Sequence, residues 1–322
     1  MWVADGWKEY EVIDTSGGEK LERWGDYILV RPDPQVIWDT GHDAPEWKHK
    51  NAHYHRSSKG GGSWEFIDLP EQWDIHYDLM GSKLTFKLKP FQFKHTGIFP
   101  EQAVNWEWMA RILRDAGSDK PNGEMPKVLN LFAYTGGATL ACAASGAALT
   151  HVDAAKGMVG WAKENAHASG LSNAPIRYLV DDCLKFVERE IRRGNHYEGI
   201  VMDPPSYGRG PKGEVWKLEE RVYELIIKSS MLLSDHALFF LINSYTTGLQ
   251  PAVLRYMLDS VLTKRLGGYV EADEIGLRVS AASFPDLMKP GDKAVSGGAA
   301  GSAGSPEMVL PCGASGRWRR ER

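Results

Sequence analysis

The sequence predicts an α/β protein: a doubly wound, mostly parallel sheet with helices on both faces, preceded by a small antiparallel β unit. Three observations carry this. Short apolar runs recur at residues 128–132, 147–153, 177–182 and 198–207, and each closes on a polar or acidic residue. Helical patterns separate them, at 158–169 and at 183–193, where Leu184, Val187 and Ile191 share a face. The first run is followed by Tyr134-Thr135-Gly136-Gly137 and an Ala-rich helical stretch, a strand–turn–helix signature. Four strands ending in polar residues on one edge describe a single concave site, because ligands of open α/β sheets bind outside the carboxyl ends of the strands.

The N-terminal residues read differently. Residues 21–24 and 26–31 flank Gly25 as two strands around a turn, and Pro32-Asp33-Pro34 ends that ladder. Residues 73–77 and 84–89 alternate with period two around Met80-Gly81, the pattern of a hairpin. The intervening stretch 47–62 is rich in Lys, His and Tyr, and is expected to be a loop that contacts RNA or simply faces solvent. His53 and His55 lie close there, but no Cys or suitably spaced carboxylate completes a tetrahedral set in sequence, so no metal is expected. Residues 100–116 form an amphipathic helix with Val104, Trp108, Ile112 and Leu113 on one side.

Composition excludes several classes. The chain has 322 residues, 43% hydrophobic and 25% charged, which suits one large domain with a smaller one. No run is long and apolar enough to span a bilayer, and the first ten residues lack the basic and apolar regions of a signal peptide. Cys142, Cys183 and Cys312 are too widely spaced for a zinc ribbon or a disulfide framework. A cytoplasmic location is expected. A net charge of −4 argues against a nucleic-acid coat and leaves room for local basic patches.

Taken together, LNLFAYTGGATLACA, the THVDAAK acid, VDDCLKF, IVMDPPSYGRG and the upstream KHTGIFPEQ resemble the class I S-adenosylmethionine-dependent methyltransferases. More narrowly they are similar to the bacterial family related to the large-subunit rRNA cytosine-C5 enzymes, over about residues 94–277. The resemblance implies a Rossmann-like seven-stranded methyltransferase sheet, S-adenosyl-L-methionine as cofactor and RNA, chiefly rRNA, as substrate. It also implies a division into a β-rich appendage at 1–93 and a methyltransferase domain at 94–322 with a flexible insertion at about 286–306.

The family pattern carries over residue by residue. Asp153, some 20 residues after the glycine turn, stands where an acid accepts both ribose hydroxyls, and Asp182 where an acid accepts the adenine amino group. The backbone of Ala133, Tyr134, Thr135, Gly136 and Gly137 would meet the methionine moiety, Asn130 and Phe132 would also contact the cofactor, and Thr96 and Gln102 would cover it from upstream. Glu101 occupies the position of the family's Asp. A dinucleotide is rejected, since the turn lacks the three-glycine spacing that seats a pyrophosphate.

Asp203, Pro204, Pro205 and Tyr207 form the catalytic candidate. The prolines fix φ and remove donors, leaving rigid carbonyl and carboxylate acceptors. Such an array serves amino-group methylation, with the aromatic stacking on the base, and equally C5 methylation, where a Cys thiolate attacks C6. The related C5 enzymes place that Cys after the fifth strand, and here the chain reads Asn243-Ser244-Tyr245-Thr246 instead. Cys312 is the one late thiol, Tyr207, Arg209, Lys212, Trp216 and Lys217 make a basic, aromatic lip, and Arg317, Arg319, Arg320 and Arg322 a basic tail. A small-molecule or protein methyltransferase, and a silent binding module, remain as other readings.

Overall fold

The computed structural model describes residues 1–42, 44–57, 61–91, 94–118, 124–209, 215–246, 248–280 and 308–321. The chain opens with β1 (Trp2–Val3), then a meander of β2 (Tyr10–Ser16), β3 (Glu19–Trp24) and β4 (Tyr27–Pro32). Gly17, Gly18 and Gly25 take positive φ between these strands, which is where tight turns demand it. A 3₁₀ turn at Pro45–Lys48 leads to β5 (Ala52–Arg56), parallel to β4, and then to β6 (Gly62–Phe66). The expected hairpin is β7 (Trp73–Leu79) and β8 (Ser82–Leu88), joined by Met80 and Gly81 at φ 53° and 90°.

The remaining elements alternate. They are α1 (Ala103–Ser118), β9 (Lys127–Leu131), α2 (Gly137–Ala144), β10 (Ala148–Asp153), α3 (Lys156–Ala168), β11 (Ile176–Val180), α4 (Cys183–Arg193) and β12 (Gly199–Met202). A small ribbon, β13 (Tyr207–Arg209) with β14 (Val215–Lys217), precedes α5 (Leu218–Ser230) and β15 (Phe239–Ser244). Then come α6 (Pro251–Leu258), a π turn at Asp259–Thr263, α7 (Lys264–Leu266), β16 (Tyr269–Val279) and β17 (Met308–Arg319).

The strand order is β11-β10-β9-β12-β15-β17-β16, with β17 antiparallel to both neighbours and the first five strands parallel. All residues of β12 and β15 are buried, as strands covered by helices on both faces must be. The order reverses between β10 and β12 on either side of β9, so a crevice opens at the end of β9. The sheet then runs on without a break: β16 pairs with β2 at Val279 and Val12, and the order continues β3-β4-β5-β6. The hairpin β7–β8 lies against the helices, with Lys87 N donating to Asn165 Oδ1 at 2.9 Å and Trp161 Nε1 donating to Lys87 O at 2.8 Å.

Three sequence expectations are corrected here. The stretch 47–62 is not an open loop: it contains the 3₁₀ turn and β5, and Tyr54 is buried edge-on against Trp64. Alternation along β5 hides Ala52 and Tyr54 and turns His53 and His55 to the other face. Arg317 belongs to no basic tail, since it lies inside β17 and is buried. The glycine turn's helix is shorter than its Ala content suggests, ending at Ala144. The insertion at 286–306, with Lys59 and Lys212, lies outside the described residues.

A buried ion cluster ties the N-terminal strands to the core. Glu22 is fully buried on β3 and takes two hydrogen bonds from Arg31, at 2.6 and 2.8 Å, and one from Tyr10 Oη at 2.7 Å. Lys20 bridges Glu22 and Asp33 at 3.5 and 3.3 Å. Arg31 also donates to Lys94 O, and Lys94 Nζ to Pro32 O, both at 2.8 Å, so the cluster grips the Lys94-His95-Thr96 segment. Burial, then the charge of Lys20, lowers the Lys94 amine to about 8. Breaking a buried pair strands a charge, which costs about 3–5 kcal/mol. Glu22→Leu should therefore lower unfolding stability by that much in urea titration, and adding Arg31→Met should restore part of it.

Candidate active site

The turn after β9 is strained and held from several sides. Phe132 and Tyr134 take left-handed φ of 54° and 50°, and Gly136, at 90°, caps α2. Each non-glycine residue in that region costs on the order of 1–3 kcal/mol, so the surroundings must enforce it. Phe132 N donates to Cys183 Sγ at 3.2 Å, Ala133 N to Val152 O at 3.1 Å, and Tyr134 N to Asp153 Oδ2 at 2.8 Å. Thr135 Oγ1 donates to Gly97 O, and Asn165 Nδ2 to Thr135 O at 2.9 Å. Gly137 has no room for a side chain, because a Cβ would lie 2.6 Å from the Trp106 ring.

Asp153 sits at the end of β10, facing this turn. Its other oxygen accepts from Ala155 N at 2.8 Å, which leaves lone pairs on both oxygens. Burial raises its pKa above the ordinary Asp value, while those two backbone bonds oppose the rise. Asp182 caps α4 by accepting from Lys185 N at 3.0 Å and is exposed, whereas Asp181 is paired with Arg189.

The opposite wall is the segment ahead of α1. Gly97 has φ 114°, and a Cβ there would fall 2.4 Å from Trp161, so only glycine fits. Phe99 spans the cleft mouth, with ring centroids 5.4 Å from Tyr134 and 5.7 Å from Tyr245. Thr96 Oγ1 and Tyr134 Oη are buried without a hydrogen-bond partner. Such hydroxyls mark places where a bound group completes the site.

Between the walls lies a cleft. Gln102, Asn130, Phe132, Ala133, Tyr134, Thr135, Gly137 and Asp203 all line it. Asn130, buried, donates to Thr139 Oγ1 at 2.8 Å, and that hydroxyl meets His151 Nδ1 at 2.9 Å. Asp203 leaves β12 into the cleft. Burial, reinforced by the nearby charge of Glu101, pushes its carboxyl up to about 7. Pro204 is buried and Pro205 exposed, its carbonyl accepting from Trp216 Nε1 at 2.7 Å. Tyr207 stands exposed on β13, away from the cleft lining, and Trp216 is the ring that reaches the turn, 5.6 Å from Phe132.

Behind Gln102 runs a buried polar network that pattern reading missed. Arg317 can only donate, and it donates to Asn105 Oδ1 through both Nε and Nη2. Asn105 must then turn Nδ2 toward Gln102 Oε1 and Asn243 Oδ1, at 2.9 Å each. Asn243 Nδ2 also donates to Gln102 Oε1, at 3.0 Å. Gln102 is thereby fixed with Nε2 outward, donating to Tyr245 Oη at 2.7 Å. Tyr245 accepts there, which leaves its own proton to donate elsewhere. The direction of every bond, from Arg317 to the cleft, follows from the guanidinium. Apart from Gln102, each partner looks like an ordinary polar residue in sequence, so no motif could have found the network.

This fold and cleft define an S-adenosylmethionine-binding, Rossmann-like protein. Residues 39–248 match the family model described as S-adenosylmethionine-dependent methyltransferase. Along 99% of its length the chain superposes on a SAM-dependent methyltransferase from Agrobacterium tumefaciens, with a TM-score of 0.84, 34% identity and 93% of that chain covered. A putative SAM-dependent methyltransferase from Streptococcus mutans shares the fold, with a TM-score of 0.67 and 17% identity over 98% of this chain and 76% of its own. The chain belongs to the S-adenosylmethionine-dependent methyltransferase family. It is also 31% identical, over 180 residues, to the ribosomal RNA large subunit methyltransferase K/L of Shewanella frigidimarina, covering 55% of this chain and 23% of that protein. With the K/L protein of Pseudoalteromonas translucida it is 33% identical over 128 residues, 39% of this chain and 16% of that one. The chain thus spans less than a quarter of these curated relatives.

Asn243→Leu keeps volume but removes a partner from each of Gln102, Asn105 and Ser315. Each of the three keeps another partner, so each loss is a partial share of the ~1–3 kcal/mol that a fully unmet buried group costs. The variant should lose about 2–4 kcal/mol of stability in urea unfolding.

Proposed function

We propose that this protein methylates a nitrogen on a base of structured RNA, in the first instance the large-subunit rRNA, in the cytoplasm. The observation that carries the reading is the placement of Asp203-Pro204-Pro205 at the end of β12, with the Asp203 carboxyl lining the same cleft as the glycine turn. The names of the partial relatives support the substrate class.

S-adenosyl-L-methionine supplies an electrophilic methyl group on its sulfur. Asp153, with lone pairs left on both oxygens, takes the two ribose hydroxyls, and the exposed Asp182 takes the adenine amino group. The turn residues Ala133, Tyr134, Thr135 and Gly137, which line the cleft, would meet the methionine part, with the unmet hydroxyl of Tyr134 among them. Asp203 accepts N–H bonds from the target amino group and so keeps the nitrogen lone pair aimed into the cleft. Pro204 and Pro205 hold that carboxylate in place. Residues 94–322 form the methyl-transfer unit, and residues 1–93 contact the RNA, where Lys48, His49 and Arg56 are exposed.

Nitrogen is preferred over C5 because no thiol is activated. Burial, then the charge of Glu101, holds the Cys312 thiol well above its ordinary value, and burial does the same for Cys142 and Cys183. A thiolate nucleophile needs the opposite shift.

Two outcomes follow. The ionised carboxylate, with both oxygens accepting and no proton of its own to donate, is the stronger N–H acceptor, so kcat/KM should rise with pH through about 7 and flatten above it. Asp203→Asn should remove that slope along with most of the rate, while calorimetric binding of S-adenosylhomocysteine stays within a few-fold. RNA carrying 5-fluorocytosine should trap no covalent adduct, and Cys312→Ser should turn over normally. An adduct that vanishes in Cys312→Ser would restore the C5 chemistry.

A further inference from the structure

The sequence offers a His-x-His pair and nothing near it to complete a metal site. Strand pairing supplies the rest. His53 and His55 are two apart on β5, so both imidazoles stand on one face, with ring centroids 3.9 Å apart. Glu65, on β6, is paired directly opposite His53, and its Oε2 lies 2.8 Å from His55 Nε2. Glu19, on β3, brings Oε1 to 2.6 Å from His53 Nε2. Donor atoms of His53, His55 and Glu65 all lie within 4.8 Å of one another.

From this juxtaposition we propose that His53, His55 and Glu65 bind a late first-row divalent cation of the Zn²⁺ class, with Glu19 orienting the His53 ring. Tetrahedral Zn²⁺ with bonds near 2.0–2.1 Å separates its ligand atoms by about 3.3 Å, so rotamer shifts of about 1.5 Å at an open strand edge complete the set. The chemistry of the donors matches the ion. Imidazoles ligate as neutral rings, and two carboxylates bring two negative charges to balance a divalent cation. The Glu19–His53 pairing is the carboxylate–imidazole contact that fixes ring orientation in metal sites. The ion would tie β6, the last strand of the sheet, to β5, and through Glu19 and His53 to β3. The site is structural and separate from the cleft: none of its residues lines it.

The test uses the whole chain, stripped with chelator and titrated with Zn²⁺ alone against a chromophoric competitor. His55 and Glu65 are each more than half exposed, at 51% and 54% of their side chains, so replacing them leaves the core intact. We expect one Zn²⁺ per chain that is lost in His55→Ala, weakened at least tenfold in Glu65→Gln, and weakened about 10–100-fold in Glu19→Gln. Zn²⁺ should raise the melting temperature of the wild type and not of His55→Ala, as binding to the folded state requires. Co²⁺ in place of Zn²⁺ should give the intense visible bands of a low-coordinate N/O site. Stoichiometry and affinity unchanged in both His55→Ala and Glu65→Gln, or no binding by the wild type, would overturn the proposal.

Discussion

The guanidinium of Arg317 enters the interior from β17 with no carboxylate to receive it. It lies 3.7 Å from the Trp2 ring centroid and 5.3 Å from that of Trp108, and gives its hydrogens to Asn105 Oδ1 and Val104 O. Burial lowers its pKa to about 9, so it remains a cation at neutral pH. A desolvated cation held by amide oxygens and aromatic faces cannot be moved without losing all of them at once. Its position therefore fixes Asn105, then Asn243 and Gln102, and finally the hydroxyl of Tyr245 at the cleft. The antiparallel strand behind the site is thus tied to the chemistry in front of it.

The glycine turn depends on the same kind of closure. Two left-handed non-glycine residues, Phe132 and Tyr134, persist because the end of β10, Cys183 at the start of α4 and Asn165 on α3 accept from or donate to the turn. Gly97 completes it from upstream, where its backbone passes against Trp161. The segment carrying Gly97 is itself anchored by Arg31 and Lys94 to the N-terminal strands. The first strands of the chain are thus part of what shapes the cofactor cleft, and they share one hydrogen-bonded sheet with it. Among the described residues no helix is long and apolar enough to cross a membrane.

Asp203 lines the cleft, and the buried Glu101 acts on it through its charge. Burial raises both Asp203 and Glu101, and the charge of Glu101 raises Asp203 further. A group poised near neutrality can accept or donate a hydrogen bond according to small changes around it. The cleft's aromatic rings, Phe99 and Tyr134, add flat surface beside those acids.

The parallel strands, the helices between them, both hairpin turns and the glycine turn were legible because each rests on local rules: apolar runs, periodicity and turn chemistry over a few residues. Helix 183–193 could be placed that way, and so could the strand end and glycine turn whose residues Asn130, Phe132, Ala133, Tyr134, Thr135 and Gly137 line the cleft. What escaped were contacts between segments far apart in the chain. Arg317 reads as one more arginine near the end until β17 slots between β15 and β16 and carries it inside. Tyr54 reads as an aromatic in a basic loop until strand alternation turns it inward. His53 and His55 lack further ligands in sequence because Glu19 and Glu65 lie on other strands, and register alone brings them together. Sequence determined which residues could do chemistry, since residue type and local spacing are intrinsic to it. Only the tertiary structure decided which of them meet, because pairing across a sheet is set by register and burial rather than by distance along the chain.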